Sequence, residues 1–362
     1  MHRTPLFIAD DIRQAHTLPA AFYRSEHDFN LCRERIFASS WQWVAEAAVA
    51  SSPQQVWPFT LLPEVLNEPL LFTCDAQGHT RCLSNVCTHR GNIIVSNAGE
   101  QRLLSCGYHG RCFGLDGQFR SMPEFKETAN FPSPADDLSA VPFATWLGLL
   151  FVSLQPAIPF TSLIAPVEEK IGWLPLNTLK FDPTQSKDYY VAAHWALYCD
   201  NYLEGFHIPF VHPALNQAIS FNDYTYELFD YGNLQIGIAK EGEPCFDLPP
   251  GHPDYGKRIY AYYCWLFPNI MLNFYPWGLS LNVVEPLAHN KTRVRFRTYY
   301  FEGADAAARE GHSLDITEME DEAVVESVQA GIQSRFYHAG RYSPTQEKGV
   351  HHFHRLIQQF MG

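Results

Sequence analysis

The chain has 362 residues, 46% of them hydrophobic, enough for one large or two ordinary domains with proper cores. Its formal net charge of −13, from 39 acidic against 26 basic residues, disfavours a nucleic-acid binder, which needs a basic face, and a protein that docks on anionic membrane. No apolar run is long enough to cross a bilayer. Acidic residues in M-H-R-T-P-L-F-I-A-D-D stand where a signal peptide needs its apolar stretch. Nine scattered cysteines fit a reducing, cytoplasmic setting.

In chain order, Ser25–Phe37 is predicted as an amphipathic helix with Ser25 as its cap, and Trp41 and Trp43 open a strand. Short strands follow at Pro69–Thr73, Arg81–Asn85, Arg102–Ser105 and Leu147–Leu154. Asp116-Gly117 predicts a hairpin between Arg111–Leu115 and Gln118–Arg120. Phe131–Pro142 reads as an ordered loop at the edge of this mostly β domain, and the prolines of Pro156–Pro166 mark its boundary. Beyond it, after Asp188–Ala193, come strands at Thr225–Phe229, Gln235–Ala239, Arg258–Leu266, Ile270–Tyr275, Leu279–Glu285 and Lys291–Phe301, the makings of a large antiparallel sheet. Thr317-Glu318-Met319-Glu320 has the form of a capping box, placing a helix from Glu318 to about Ser334; a last helix covers Thr345–Met361.

Two clusters carry chemistry. In C-D-N-Y-L-E-G-F-H-I-P-F-V-H, Glu204 lies three residues before His207, a spacing that shares a helix face. Pro209 should kink or end that helix and swing His212 back towards His207. Two neutral imidazoles with one later carboxylate form the ligand set of a non-haem Fe(II) site with open positions. Upstream, Cys87-Thr88-His89 and Cys106-Gly107-Tyr108-His109 are separated by sixteen residues, Arg90 to Ser105. Two thiolates and two imidazoles make either a tetrahedral zinc site or a mixed-ligand iron–sulfur centre. Gly91 and Gly110, each two residues or fewer beyond a histidine, favour iron: tight loops can aim backbone N–H groups at bridging sulfides.

C-T-H-R-G and C-G-Y-H-G resemble the Rieske motif, and with N-Y-L-E-G-F-H-I-P-F-V-H the chain resembles the large subunit of Rieske non-haem iron oxygenases over nearly its whole length. The resemblance implies an α+β fold: a helical segment at 1–38, a β domain at 39–157 holding a [2Fe–2S] cluster, and a catalytic domain at 158–362. The last is a helix-grip antiparallel sheet wrapped on a long helix. It implies Cys87, His89, Cys106 and His109 as cluster ligands, and His207 and His212 as ligands of a mononuclear Fe(II). The carboxylate ligand falls at Asp321, with Glu326, Gln329 and Gly331 completing the family pattern. Glu320 is set aside as part of the capping box and Glu322 as pointing about 100° away around the helix. Glu204 matches the carboxylate that bridges a cluster histidine of one subunit to an iron histidine of the next, in a ring that is usually a homotrimer. Asn201 matches a position near the iron, implying a residue that orients the site from outside its ligand shell, with a weak, distant ligand as the alternative. Arg111 departs from the family's usual tryptophan, which bears on cluster potential or the subunit contact, and Cys112 is expected to be a free thiol.

No G-x-G-x-x-G opens a βα unit, so electrons must come from a separate NAD(P)H-dependent flavin reductase, with or without a ferredoxin. The substrate is expected to be a small molecule met by O₂. L-F-P-N-I-M-L-N-F-Y-P-W-G resembles the choline monooxygenase and glycine-betaine demethylase branch. That favours monooxygenation or N-demethylation of an amine or quaternary ammonium compound held by Trp and Tyr faces. Hydroxylation of an aromatic substrate and a Rieske electron carrier without oxygenase activity are the alternatives.

Overall fold

The computed structural model describes residues 6–304 and 314–362. The chain divides into two compact units, one over Phe37–Ala157 and one joining the N-terminal residues up to Ile36 with Ile158–Gly362. No described helix is long and apolar enough to cross a membrane.

The Phe37–Ala157 unit is β. A four-stranded sheet runs in the order Thr80–Ser84, Glu68–Cys74, Gln55–Leu61, Gly99–Glu100. Gln55–Leu61 escaped the sequence reading because Pro58 interrupts it. Its free side is paired only at Gln55 and Val56, so a residue without an N–H is tolerated at position 58. A second sheet pairs Gln42–Glu46 with Leu149–Val152 and Phe143–Trp146, and a third holds Leu104–Ser105, Cys112–Phe113 and Phe119–Ser121. The Asp116-Gly117 hairpin is present, with its first strand shortened to Cys112–Phe113 and its second shifted by one residue to Phe119–Ser121. The proline-rich loop lies along the first sheet, where Ser84 N–H donates to Ser139 O at 2.9 Å.

The other unit holds a seven-stranded antiparallel sheet in the order Leu179–Val191, Lys291–Phe301, Gly278–Ala288, Ile270–Tyr275, Ile259–Leu266, Gly232–Ile238, Thr225–Phe229. Its first strand begins well before the predicted Asp188. Pro183 and a register break between Asp182 and Lys187 disguise it, and both are tolerated because the strand is an edge. The central strands are buried on both faces, so the expected alternation survives clearly only in Lys291–Phe301.

Two predicted features are corrected. Part of the proline-marked boundary is a helix, Phe160–Ile171, with Pro166 inside it. Interior proline costs about 3 kcal/mol; burying Phe160, Leu163, Ile164, Val167 and Ile171, at about 1.5–3 kcal/mol each, outweighs it. The capping box is not a helix start, because the helix runs Leu314–Gly331 and Thr317 already lies within it. At the N-terminus Ser25 does cap, accepting from Asp28 N–H at 3.0 Å. Its helix, however, covers Glu26–Cys32 and passes into a single π turn, Arg33–Phe37.

The helix Trp195–Tyr202 leads toward the candidate iron site, and its cap is His194, whose Nδ1 accepts from Ala196 N–H at 3.2 Å. That bond requires the neutral ring. His194 is fully buried among Phe22, Tyr23 and Phe29, and burial, then the charge of His289, pulls its pKa down to about 3. The unfolded chain takes up this proton near pH 6.5 and the folded chain does not, so stability is complete above pH 6.5 and falls as pH drops toward 3. At pH 5 the loss is about 2 kcal/mol. We expect His194→Asn, which can still cap, to flatten this acid slope in thermal unfolding followed by tryptophan fluorescence.

Candidate functional site

The helix Trp195–Tyr202 ends at Leu203, earlier than expected, so Glu204 and His207 do not share a helix face. They pair through a turn. The Glu204 carboxylate accepts from the N–H groups of Phe206 and His207, the latter at 3.0 Å, and its Oε1 lies 2.7 Å from His207 Nδ1. Pro209 does not kink a helix. It sits in the first turn of the short helix Ile208–Val211, where a missing N–H costs nothing, and that turn brings His212 round to His207.

The two Nε2 atoms approach to 3.2 Å, and Asp321 Oδ1 lies 3.0 Å from that of His212 and 3.6 Å from that of His207. Ligand atoms of His207, His212 and Asp321 all fall within 4.8 Å of one another. On the far side of His212, Glu320 Oε2 is 2.7 Å from Nδ1. Each ring therefore places its Nδ1–H against a carboxylate, Glu204 or Glu320, and turns a bare Nε2 lone pair inward, the tautomer a metal requires. Burial lowers the affinity of His212 for a proton, but hydrogen bonds and charge from Asp321 and Glu320 more than reverse this. Three carboxylates around two imidazoles leave an excess of negative charge, and the donor set fits a divalent non-haem iron.

Glu320, dismissed in the sequence as a cap, thus proves to be a support for His212. Glu322 does not join the group. The pattern residues Glu326 and Gln329 have a plain structural task. Their side chains accept from Ala192 N–H at 2.8 Å and His194 N–H at 2.9 Å, tying the helix that bears Asp321 to the start of the segment that bears both histidines. Glu318 adds a third tie, accepting from the Tyr198 hydroxyl at 2.5 Å. None of these ties has a spacing signal in the sequence, because each spans more than a hundred positions.

Asp321 and both histidines open on a cavity of about 420 Å³, which Asn201 and Glu204 also line. Its floor follows the sheet register: Gln235 is opposite Tyr263, Tyr263 opposite Asn273, and Asn282 opposite Phe296. Tyr260 would face away by alternation. The register break between Gly237 and Ile238, which leaves Tyr260 unpaired, turns it to the cavity side. Tyr275 meets Tyr260 and Tyr263 edge-on with centroids 6.1 and 6.0 Å apart, and Tyr224 stacks on Tyr263 at 6.4 Å. Tyr263 and Tyr275 line the cavity, and among the described residues that line it there is no tryptophan. The wall is tyrosine rather than tryptophan, with Trp277 stacked behind Tyr275 at 4.9 Å.

In the Phe37–Ala157 unit the two motif loops repeat one geometry. Gly91 N–H donates to Cys87 O at 2.9 Å and Gly110 N–H to Cys106 O at 3.1 Å, and both glycines take φ of +71°, in the left-handed region that favours glycine. Cys87 and Cys106 are buried in the unit's core, while His89 is half-buried, His109 exposed, and the two rings lie 4.8 Å apart. Burial works against a Cys106 thiolate, but N–H groups of Tyr108 and His109, the Cys87 thiol and the Asn92 amide more than offset it. Thiols paired inside and imidazoles paired outside are the donor arrangement a [2Fe–2S] cluster needs. Arg111 is 2% exposed, paired with Asp136 at 2.7 Å and set over Phe119 and Phe131 at 5.0 and 5.3 Å. Cys112 is a free thiol, 3.3 Å from Ser105 Oγ.

Two family models match the chain. Residues 40–132 match the family described as Rieske [2Fe-2S] domain, and 179–362 match Ring hydroxylating alpha subunit (catalytic domain). The chain is 28% identical to the chloroplastic choline monooxygenase of Beta vulgaris, over 95% of its own length and 77% of the relative's. It is 27% identical to the carnitine monooxygenase oxygenase subunit of Escherichia coli (strain K12), over 96% and 94%. A solved quaternary ammonium Rieske monooxygenase, described for carnitine oxidation by gut microbiota and inter-subunit electron transfer, superposes with a TM-score of 0.79 at 22% identity, covering all of both chains.

Removing the charge behind His212 should loosen the metal without removing a ligand. Glu320→Gln is expected to lower iron affinity by about 10–100-fold, read as iron retained against a chelator, with the visible spectrum of the Rieske cluster unchanged.

Proposed function

The chain belongs to the ring-hydroxylating alpha-subunit family, and we propose that this Rieske-type oxygenase component hydroxylates a carbon next to nitrogen in a quaternary ammonium or tertiary amine substrate. The observation that carries this reading is the convergence of His207, His212 and Asp321 at a cavity walled by tyrosine rings. Ring faces attract a desolvated cation by about 2 kcal/mol. The choline and carnitine monooxygenases among its relatives support the same class.

On this reading Cys87, His89, Cys106 and His109 hold the [2Fe–2S] cluster, and His207, His212 and Asp321 the mononuclear iron. Bound there, the two centres supply electrons and a place for O₂ beside the substrate. The chain's own residues do the rest. Glu204 and Glu320 keep the protons of His207 and His212 on Nδ1, so both Nε2 atoms stay available. Asn201, in the cavity wall, orients the site from outside the ligand set. Tyrosine faces hold the ammonium group and exclude bulk water, so the C–H bond beside nitrogen is the one presented.

On the same reading Glu204 serves a second purpose. Its carboxylate holds His207 Nδ1 at 2.7 Å and is only partly buried. We assign it as the bridge that receives His109 of a neighbouring copy in a head-to-tail homotrimer, with electrons delivered by a separate NAD(P)H-dependent flavin reductase, with or without a ferredoxin.

With such a reductase, choline-like compounds should drive O₂ uptake with formation of an aldehyde or release of formaldehyde. Uptake driven by indole or another aromatic hydrocarbon, with none from any amine, would overturn the substrate class. His109→Ala should erase the cluster's visible absorbance and stop turnover. Glu204→Gln should keep both metals yet strongly slow re-oxidation of a pre-reduced cluster on adding substrate and O₂; an unchanged rate removes the bridging role.

A further inference from the structure

The charge of the cavity narrows the substrate further, on the basis of the quaternary-ammonium reading above. Besides Glu204 and Asp321, the wall presents two more carboxylates, Glu318 and Glu243. Among the described residues that line it there is no lysine or arginine, and the imidazoles present are those of His207 and His212. Glu318, on the same helix as Asp321, is 2% exposed and engaged with Tyr198. Glu243 is half-buried and near Tyr260, whose phenol is raised to about 12 by burial first and then by the Glu243 charge. The remaining polar groups of the floor are neutral. Asn273 Oδ1 accepts from Tyr202 at 2.7 Å and Asn282 Oδ1 from Ser280 at 2.8 Å, which leaves amide N–H groups as donors for an uncharged oxygen.

The relatives named for choline and for carnitine act on two different kinds of cation, one ending in a hydroxyl and one in a carboxylate. A substrate carboxylate would have to leave water for a wall that already holds Glu243 and Glu318 and, among the described residues, offers it no lysine or arginine. Burying a charge without a partner is costly, and like charges add repulsion. A hydroxyl meets no such penalty. We infer that the cavity selects a cation whose other end is uncharged, a quaternary ammonium alcohol or a simple trialkylamine, and rejects carboxylate-bearing zwitterions, with Glu243 as the charge that determines this preference.

Anaerobic calorimetric titration of the metal-loaded protein tests this with five probes: choline, its neutral carbon isostere 3,3-dimethylbutan-1-ol, L-carnitine, glycine betaine and indole. Choline should bind about 100-fold more tightly than either zwitterion. Glu243→Gln should weaken choline by about 10-fold, leave the neutral isostere unchanged and narrow the gap to the zwitterions; Glu243→Lys should narrow it further. An unaltered visible spectrum shows that each variant has folded and loaded its cluster. If L-carnitine or glycine betaine binds as tightly as choline, or if both Glu243 variants keep the wild-type preference, the inference is overturned while the quaternary-ammonium reading stands. If indole or the neutral isostere outbinds choline, that reading falls and the inference with it.

Discussion

The helix Leu314–Gly331 is tied by its side chains to the backbone and hydroxyl groups of the segment it must serve. Glu326 and Gln329 take the N–H groups of Ala192 and His194, and Glu318 takes the Tyr198 hydroxyl. Hydrogen bonds to charged groups, as at Glu318 and Glu326, contribute about 1.5–3 kcal/mol each and a neutral one, as at Gln329, about 0.5–1.5 kcal/mol, and they lie on both sides of Glu320 and Asp321. Two consecutive residues, about 100° apart around the helix, can then straddle one imidazole: Glu320 at Nδ1 and Asp321 at Nε2 of His212. Those ties hold the carboxylate ligand in place beside the two histidines.

The same interaction explains why the site wants a cation. Glu204, Glu320 and Asp321 surround two rings whose Nδ1–H bonds hold them in the tautomer with Nε2 free. Negative charge gathered in a partly buried place is unfavourable by itself. A divalent ion held by His207, His212 and Asp321 would relieve it, which is a reason for binding rather than merely a shape that permits it. The cysteine–histidine loops follow a parallel logic, since N–H groups of Tyr108 and His109 compensate a Cys106 thiolate that burial alone would oppose.

The cavity depends on the sheet more than on any motif. Register places Gln235, Tyr263 and Asn273 in one row, and a single irregularity opposite Gly237 and Ile238 adds Tyr260 to the same side. Tyrosine walls and unbalanced carboxylates together make the interior receptive to positive charge.

The sequence by itself determined what depends on residue type at short range. Cysteine–histidine pairs on tight glycine loops, two histidines beside a carboxylate, and the strong alternation of Lys291–Phe301 all act within a few positions, where chain connectivity already sets the distance. Local reading misjudged Thr317–Glu320, because a capping box is a pattern that a helix interior can also contain. It misjudged Pro209 for a similar reason, since proline suits a first turn as well as it breaks a later one. Tertiary structure alone decided that Glu320 supports His212, that Tyr260 rather than a tryptophan faces the substrate space, and that Glu326 and Gln329 are anchors. Those outcomes rest on strand register and on contacts between segments more than a hundred residues apart, and neither leaves a periodic trace in the chain.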